Sequence, residues 1–348
     1  MIKRVNYEDI VDKDNIVYID VRSPKEYNED TIPGAINIPI LDNKEREEIG
    51  YTYKHISKDK AKRMGLEYAS KKLVNFYDQI KEIINTNKNV VLFCYRGGMR
   101  SSSIAKILDI MNLPIYIIDG GYKEYRNFVI NNLEKYGHKF KFIVLHGYTG
   151  VGKTKALVNL KNNNHAVLDL EKLAQNSGSV FGNIFYSNPS HGQKKFESLL
   201  LNKFMNFKDE YIFVESESKR IGNSVMPDFL YENIQNGYHI LLSTNISNRV
   251  DTIAYDYLSN KSDDSEQVIS AIKKLKKKLG NDKIRNLEEE FRKNNYRYVI
   301  KELMIDYYDP LYEYSINKVS EYDIKIYYNE ENELLKKLIS FKEMIKER

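Results

Sequence analysis

The only cysteine of this chain, Cys94, stands at the end of an apolar run and opens the loop Cys94-Tyr95-Arg96-Gly97-Gly98-Met99-Arg100, which passes through Ser101-Ser102-Ser103 into a helical pattern. A strand over Val90 to Phe93 would deliver the sulfur to the carboxyl edge of a sheet, where Gly97 and Gly98 let backbone N–H groups turn inward. With Arg96, Arg100 and a helix N-terminus close by, Cys94 to Arg100, Met99 included, forms an anion cradle. Such a cradle stabilises a thiolate and any anionic group the sulfur carries. The competing reading is a buried structural cysteine, the usual fate of a lone thiol.

A second loop repeats the design with different chemistry. The apolar stretch Phe140 to His146 runs into Gly147-Tyr148-Thr149-Gly150-Val151-Gly152-Lys153-Thr154 and then into helix formers. This is a complete G-x4-G-K-T phosphate loop in its strand-loop-helix setting: Gly147, Gly150 and Gly152 admit a tight backbone cradle, Lys153 neutralises terminal phosphates, and Thr154 offers its hydroxyl to Mg²⁺. Two further apolar runs end in acids, Ala166-Val167-Leu168 before Asp169-Leu170-Glu171 and Tyr211 to Val214 before Glu215-Ser216-Glu217. Carboxylates at strand ends beside a phosphate loop, here Asp169, Glu171, Glu215 and Glu217, suit Mg²⁺ ligation or base catalysis. Helix capping is the alternative for Asp169 and Glu215. The Gly-bearing loops Ser177 to Gly182 and Pro189 to Gln193 are of the kind that border a substrate. Arg249, after the Leu241-Leu242-Ser243 strand, reads as a phosphate contact or a surface salt bridge. The run Lys273, Lys274, Lys276, Lys277 and Lys278 reads as a contact to RNA phosphates or as a solvated helix face.

The elements that carry these loops alternate between strand and helix. Ile16 to Val21 is a strand followed by the cap Arg22-Ser23-Pro24; residues 66–85 show helical spacing; Ile115 to Ile118 is a strand ending in Asp119-Gly120-Gly121. Such alternation predicts α/β architecture with parallel sheets. We expect a first α/β domain over residues 1–130, a phosphate-loop α/β domain over 139–263, and a helical, highly charged C-terminal region over 264–348 packed on the phosphate-loop domain, with no second sheet.

At 348 residues the chain is too long for one ordinary core. A single cysteine excludes a disulfide framework, and the six histidines lack close ligand spacing, so no structural zinc is expected. No tightly bound cofactor is expected either. Nowhere do about 18 apolar residues run uninterrupted, and Met1 to Glu8 lacks an apolar targeting core, which predicts a cytoplasmic protein without a membrane partner. A net charge of +5 is too modest to prove a nucleic-acid partner by itself.

Particular residues resemble known families. Asp20-Val21-Arg22-Ser23-Pro24 with Glu26-Tyr27, Ile32-Pro33-Gly34-Ala35-Ile36-Asn37, the Cys94 loop and Gly120-Gly121-Tyr122 resemble a rhodanese domain. Thr31 replaces that family's usual histidine, and the Cys94 loop is one residue longer than is common there. A rhodanese-like domain ahead of a phosphate-loop domain, together with Asn43 to Gly50, Tyr53-Lys54, Asp169-Leu170-Glu171, Gly178-Ser179, Phe181-Gly182, Glu215 to Gly222 and Tyr307-Tyr308-Asp309-Pro310, resembles the tRNA 2-selenouridine synthases over nearly the whole chain. Departures are Ser216 for Asp, Lys219 for Arg, and His191-Gly192 within a Pro-Ser-Gln pattern. The resemblance implies a transferase that converts wobble 2-thiouridine of tRNA to 2-selenouridine via S-geranyl-2-thiouridine. Geranyl diphosphate and selenophosphate would be its substrates, with an enzyme supplying selenophosphate as a further partner. A different class stays open from the loops alone: a cysteine-dependent sulfurtransferase or phosphatase coupled to a phosphate-loop kinase, because Cys-x5-Arg-Ser is also a phosphatase loop. A non-enzymatic RNA-binding module would require both anion loops to be idle.

Overall fold

Among the described residues, twelve strands form two wholly parallel five-stranded sheets and one small hairpin. In the first sheet β1 (Lys3–Val5), β2 (Ile16–Asp20), β3 (Ile36–Asn37), β4 (Asn89–Phe93) and β5 (Ile115–Ile118) lie in the order β1-β5-β4-β2-β3, every pair parallel. The middle strand β4 is covered on both faces, which is why Val90 to Phe93 reads as an unbroken apolar run. Phe76 and Ile80 of the helix Leu73–Ile84, and Ile104 and Leu108 of the helix Met99–Ile110, pack with Ile19, Leu92 and Ile117 into one core. The helical pattern at 66–85 is two helices, Lys58–Ser70 and Leu73–Ile84, separated at Lys71-Lys72.

The second sheet contains β6 (Lys141–His146), β7 (Val167–Leu168), β8 (Tyr211–Glu215), β11 (Tyr238–Ser243) and β12 (Ile324–Tyr327) in the order β12-β11-β6-β8-β7, again all parallel. Between β8 and β11, β9 (Arg220–Ile221) and β10 (Ser224–Val225) make the hairpin.

The structure describes residues 2–86, 88–176, 190–259 and 265–347. Contacts group them into two units, Met1–Lys135 with Gly192–Asn202, and Tyr136–His191 with Lys203–Arg348. Among the described residues no helix is long and apolar enough to cross a membrane.

Two expectations about organisation change. Gly192–Asn202, read as part of the phosphate-loop domain, belongs to the first unit, where Ser198 donates to Asp30 Oδ2 at 3.0 Å and Glu197 pairs with Arg126. The C-terminal region is helical except for β12, which adds an edge strand to the existing sheet. Its four residues include Lys325 and only Ile326 is buried, so the segment carries no continuous apolar signal. The following helix, Glu331–Lys346, lays Leu334, Leu338, Phe341 and Ile345 against Leu157 and Leu160, making it part of the phosphate-loop core.

Candidate functional site

In the first unit, β4 ends at Phe93 and places Cys94 at the sheet's carboxyl edge, directly before the loop that opens the helix Met99–Ile110. Gly97 has φ +61°, and a Cβ on it would come within 2.8 Å of Ile118 O. Gly121, at φ +62°, would put a Cβ 2.3 Å from Cys94 O. These two glycines let the Gly120-Gly121 turn back the loop closely enough for Tyr122 N–H to donate to Cys94 O at 2.8 Å and Lys123 N–H to Tyr95 O at 3.0 Å.

Cys94 is 3% exposed, and the buried Ser101 hydroxyl donates to its Sγ at 3.2 Å. Arg100 is held by Glu26 through Nη1 to Oε2 at 2.7 Å and Nη2 to Oε1 at 3.1 Å, a planar two-pronged pair. Arg46, from the helix Asn43–His55, stands 3.5 Å from the same Oε2. Burial pushes the Glu26 carboxyl up, but the Arg100 hydrogen bond and charge, helped by Arg46, bring it below its ordinary range. Arg96 is exposed, with its guanidinium 5.9 Å from the Tyr95 ring centre.

Neither Glu26 nor Arg46 was singled out as a site residue from sequence; Arg46 lies in the Asn43 to Gly50 motif and Glu26 in the rhodanese-like one. Arg4 was also missed, although it donates to Gly97 O at 3.3 Å and to Ser102 Oγ at 3.1 Å. Deeper down, Arg22 grips Asp20, donates to Asp30 O at 2.6 Å and covers the Tyr122 ring at 4.0 Å. Thr31, in the histidine position, donates to Asp20 Oδ2 at 2.8 Å.

In the second unit the middle strand β6 leads into the phosphate loop. Gly150 and Gly152 both have φ +78°, and a Cβ on Gly150 would meet Arg249 O at 2.7 Å. Lys153 opens the helix Lys153–Asn162 and reaches back to Gly147 O at 2.9 Å and Tyr148 O at 3.4 Å. Its ammonium lies 5.3 Å from the Tyr312 ring centre. Thr154 bonds to the Glu215 carboxyl, which burial raises against the opposing pull of Lys153 and Thr154. Glu217 is pushed up to about 8 by burial and by the neighbouring Glu171 and Glu215.

Asp169 borders this group, its charge adding to the rise of Glu215, while its carboxylate caps the helix Leu170–Ala174 through Lys172 N–H at 2.9 Å. Among the described residues no three His, Cys, Asp or Glu side chains are grouped to hold a metal ion. The Thr154 hydroxyl beside the Glu215 carboxyl is a pair of hard oxygen donors, which fits Mg²⁺ that completes its shell with phosphate and water.

Arg249 is neither a surface residue nor available to a phosphate in this arrangement. It is 7% exposed, donates to Thr149 O at 2.9 Å, and spends its fork on Asp309 at 3.0 and 2.5 Å. Asp309 follows one π turn, Met304–Tyr308, and precedes Pro310 in the next helix, Asp309–Asn317. The Tyr307 to Pro310 motif therefore clamps the phosphate loop from behind. Lys273 pairs with Glu288 at 3.4 Å and Lys278 lies 5.1 Å from the Tyr307 ring centre, while Lys274, Lys276 and Lys277 are exposed. Buried Leu275 separates two helices within that run, so the lysines do not form one helical face. Ser177 to Pro189, including the first Gly-bearing loop, lie outside the described residues.

Gly150, Gly152, Lys153 and Thr154 line one side of a cavity of 1380 Å³, together with Glu171, Glu215 and Glu217. Its lining also includes the apolar residues Ile253, Ala254, Val268, Val299, Ile300 and Met304, together with polar ones such as Asp251, Thr252 and Arg297. This volume exceeds the roughly 300–1,000 Å³ that one small ligand usually takes.

Residues 140–343 match the model of the tRNA 2-selenouridine synthase AAA domain. The chain belongs to the tRNA 2-selenouridine synthase family. Residues 5–128 match the rhodanese-like domain. A family member from Nitrosomonas europaea is 31% identical over 84% of this chain and 87% of its own length. One from Marinobacter nauticus is 30% identical over 87% of this chain and 89% of its own length. Family membership thus accounts for the presence of a cysteine loop and a phosphate loop in a single chain.

Proposed function

We propose that this tRNA-modifying enzyme replaces the sulfur of wobble 2-thiouridine by selenium through S-geranyl-2-thiouridine, using geranyl diphosphate and then selenophosphate. The observation that carries the reading is the joining of Lys153 and Thr154 to a set of apolar side chains in one cavity. A nucleotide needs the phosphate loop but not an aliphatic wall; an alkyl diphosphate needs both. The volume leaves room for the nucleobase beside the donor.

In the first step the thiocarbonyl sulfur attacks carbon 1 of the donor, the C–O bond breaks, and N3 of the base loses its proton. Charge growing on the departing diphosphate falls on Lys153 and on the loop amides. Mg²⁺, held by Thr154 and Glu215, would supply further charge compensation. S-Alkylation turns the sulfur into a leaving group. Selenium of selenophosphate, held at the Cys94 loop, then attacks C2 of the base and the geranyl thiol departs; water cleaves the Se–P bond, leaving inorganic phosphate and the 2-selenouridine. The Ser101 hydroxyl, which donates to Cys94 Sγ, suits an anionic sulfur or selenium there, and Arg100, held by Glu26, lies in the first turn of the helix that follows the loop.

The test is nucleoside mass spectrometry of 2-thiouridine-containing tRNA incubated with the protein. Geranyl diphosphate alone should yield S-geranyl-2-thiouridine, and adding selenophosphate should yield 2-selenouridine. Selenium incorporation that is as fast without geranyl diphosphate as with it would remove the alkylated intermediate from the scheme. Vigorous ATP hydrolysis without tRNA would instead favour a kinase-like phosphate loop.

A further inference from the structure

Taking the alkyl-diphosphate reading as its basis, we infer that the apolar end of the cavity measures the alkyl chain, with Ala254 and Met304 setting the length it accepts. Val250, Ala254, Ile300 and Met304 form one buried cluster, with Ile253 packed against it. Val268 and Val299 belong to the adjoining cluster of the C-terminal helices. The apolar part of the cavity therefore lies where two hydrophobic clusters meet, and residues of both line it.

No side chain among Ile253, Ala254, Val268, Val299, Ile300 and Met304 carries a hydrogen-bonding N or O atom. A purine or pyrimidine edge placed there would lose its water partners without replacement. A hydrocarbon loses nothing and gains about fourfold in affinity for each buried CH₂. Of the side chains that the helix Ile246–Ser259 gives to the cavity, Ala254 is the smallest. It is 4% exposed, so any larger side chain there must take its space from the cavity or from the packed cluster. Met304, 1% exposed, is the least exposed of these six apolar residues with a flexible side chain, and shortening it lengthens the available space.

The experiment compares dissociation constants of the full chain for inorganic diphosphate and for dimethylallyl, geranyl and farnesyl diphosphates. In the wild type, affinity should rise from inorganic diphosphate to dimethylallyl to geranyl diphosphate. Ala254→Leu should weaken geranyl diphosphate at least tenfold while leaving inorganic diphosphate within about twofold. Met304→Ala should shift preference towards farnesyl diphosphate by a similar factor. If Ala254→Leu does not fold, Ala254→Val and Met304→Ala carry the comparison.

A wild type that favours geranyl over inorganic diphosphate, with chain-length preference unmoved in the variants, overturns the ruler and leaves the alkyl-diphosphate reading standing. A wild type that binds geranyl diphosphate no better than inorganic diphosphate, or binds ATP more tightly, overturns both.

Discussion

The Cys94 loop and the Lys153 loop start from the same place and diverge in what surrounds them. Each follows the middle strand of a parallel five-stranded sheet and each opens a helix. Around Cys94, the arginine beside the loop is held by a carboxylate, the sulfur is almost wholly buried, and a neighbouring turn braces the backbone. Around Lys153, the ammonium rests on two backbone carbonyls and the loop borders a large cavity. The first site is enclosed around a buried sulfur; the second is open to a large cavity. Similar backbone plans thus serve different chemistry because of the side chains set against them.

The largest effects should separate the two loops by step. Lys153→Ala should reduce formation of S-geranyl-2-thiouridine by at least 10²- to 10³-fold, the range for losing one preorganised charge partner of a leaving group. Cys94→Ala should leave that step within a few-fold and abolish 2-selenouridine, so the alkylated nucleoside accumulates. Nucleoside analysis of both variants decides the matter. Loss of alkylation in folded Cys94→Ala would end the division of labour, and 2-selenouridine formed at the normal rate would show that Cys94 has no part in selenium transfer.

A smaller effect should come from behind the phosphate loop. Asp309→Asn leaves the Arg249 bond to Thr149 O but removes the charge partner of a nearly buried guanidinium, a change that costs about 3–5 kcal/mol in fully buried pairs. Asp309 is partly exposed, so the cost here should be lower. The expected signature is a KM for geranyl diphosphate raised about tenfold with a lesser fall in kcat, since the cradle is loosened and no reacting group is lost. A variant with normal KM would mean that the clamp does not position the loop.

Much of both loops was legible in the sequence because each is a contiguous motif flanked by an apolar strand. Buried parallel strands read as unbroken runs, as Val90 to Phe93 does, and glycines mark where the backbone must turn. What stayed hidden depends on contacts across the chain. Glu26 meets Arg100 from 74 residues away, and Asp309 meets Arg249 from 60. No local spacing encodes those pairs. Arg249 illustrates the point: as a lone arginine on a helical stretch it reads equally as a phosphate contact or a surface salt bridge, and only the fold shows that Asp309 and Thr149 hold it. The edge strand β12 was hidden for a different reason, since its half-exposed, lysine-containing segment carries no clear period.

The residues at the ends of the two middle strands extend the comparison to stability. Phe93 ends β4, whereas His146 ends β6, 4% exposed and with Nε2 2.8 Å from His239 Nδ1. His239 Nε2 lies 3.0 Å from Gln235 O, so it must donate there; its Nδ1 then accepts and His146 Nε2 is the donor. Burial, with the nearby charges of His239 and Lys153, lowers His146 from its ordinary value of 6.5 to about 3. Between those values the unfolded chain binds a proton that the folded chain does not, so stability from this group is complete above pH 6.5 and is lost as pH falls towards 3. From pH 7.5 to 5 the loss should be about 2 kcal/mol, at roughly 1.4 kcal/mol per pH unit below the ordinary value. His146→Gln keeps an N–H for His239 and cannot titrate, so its urea midpoint should fall less than that of the wild type over this interval. Equal falls would mean that His146 takes up its proton without unfolding the second unit, and the strand end behind the phosphate loop would then be as indifferent to pH as Phe93.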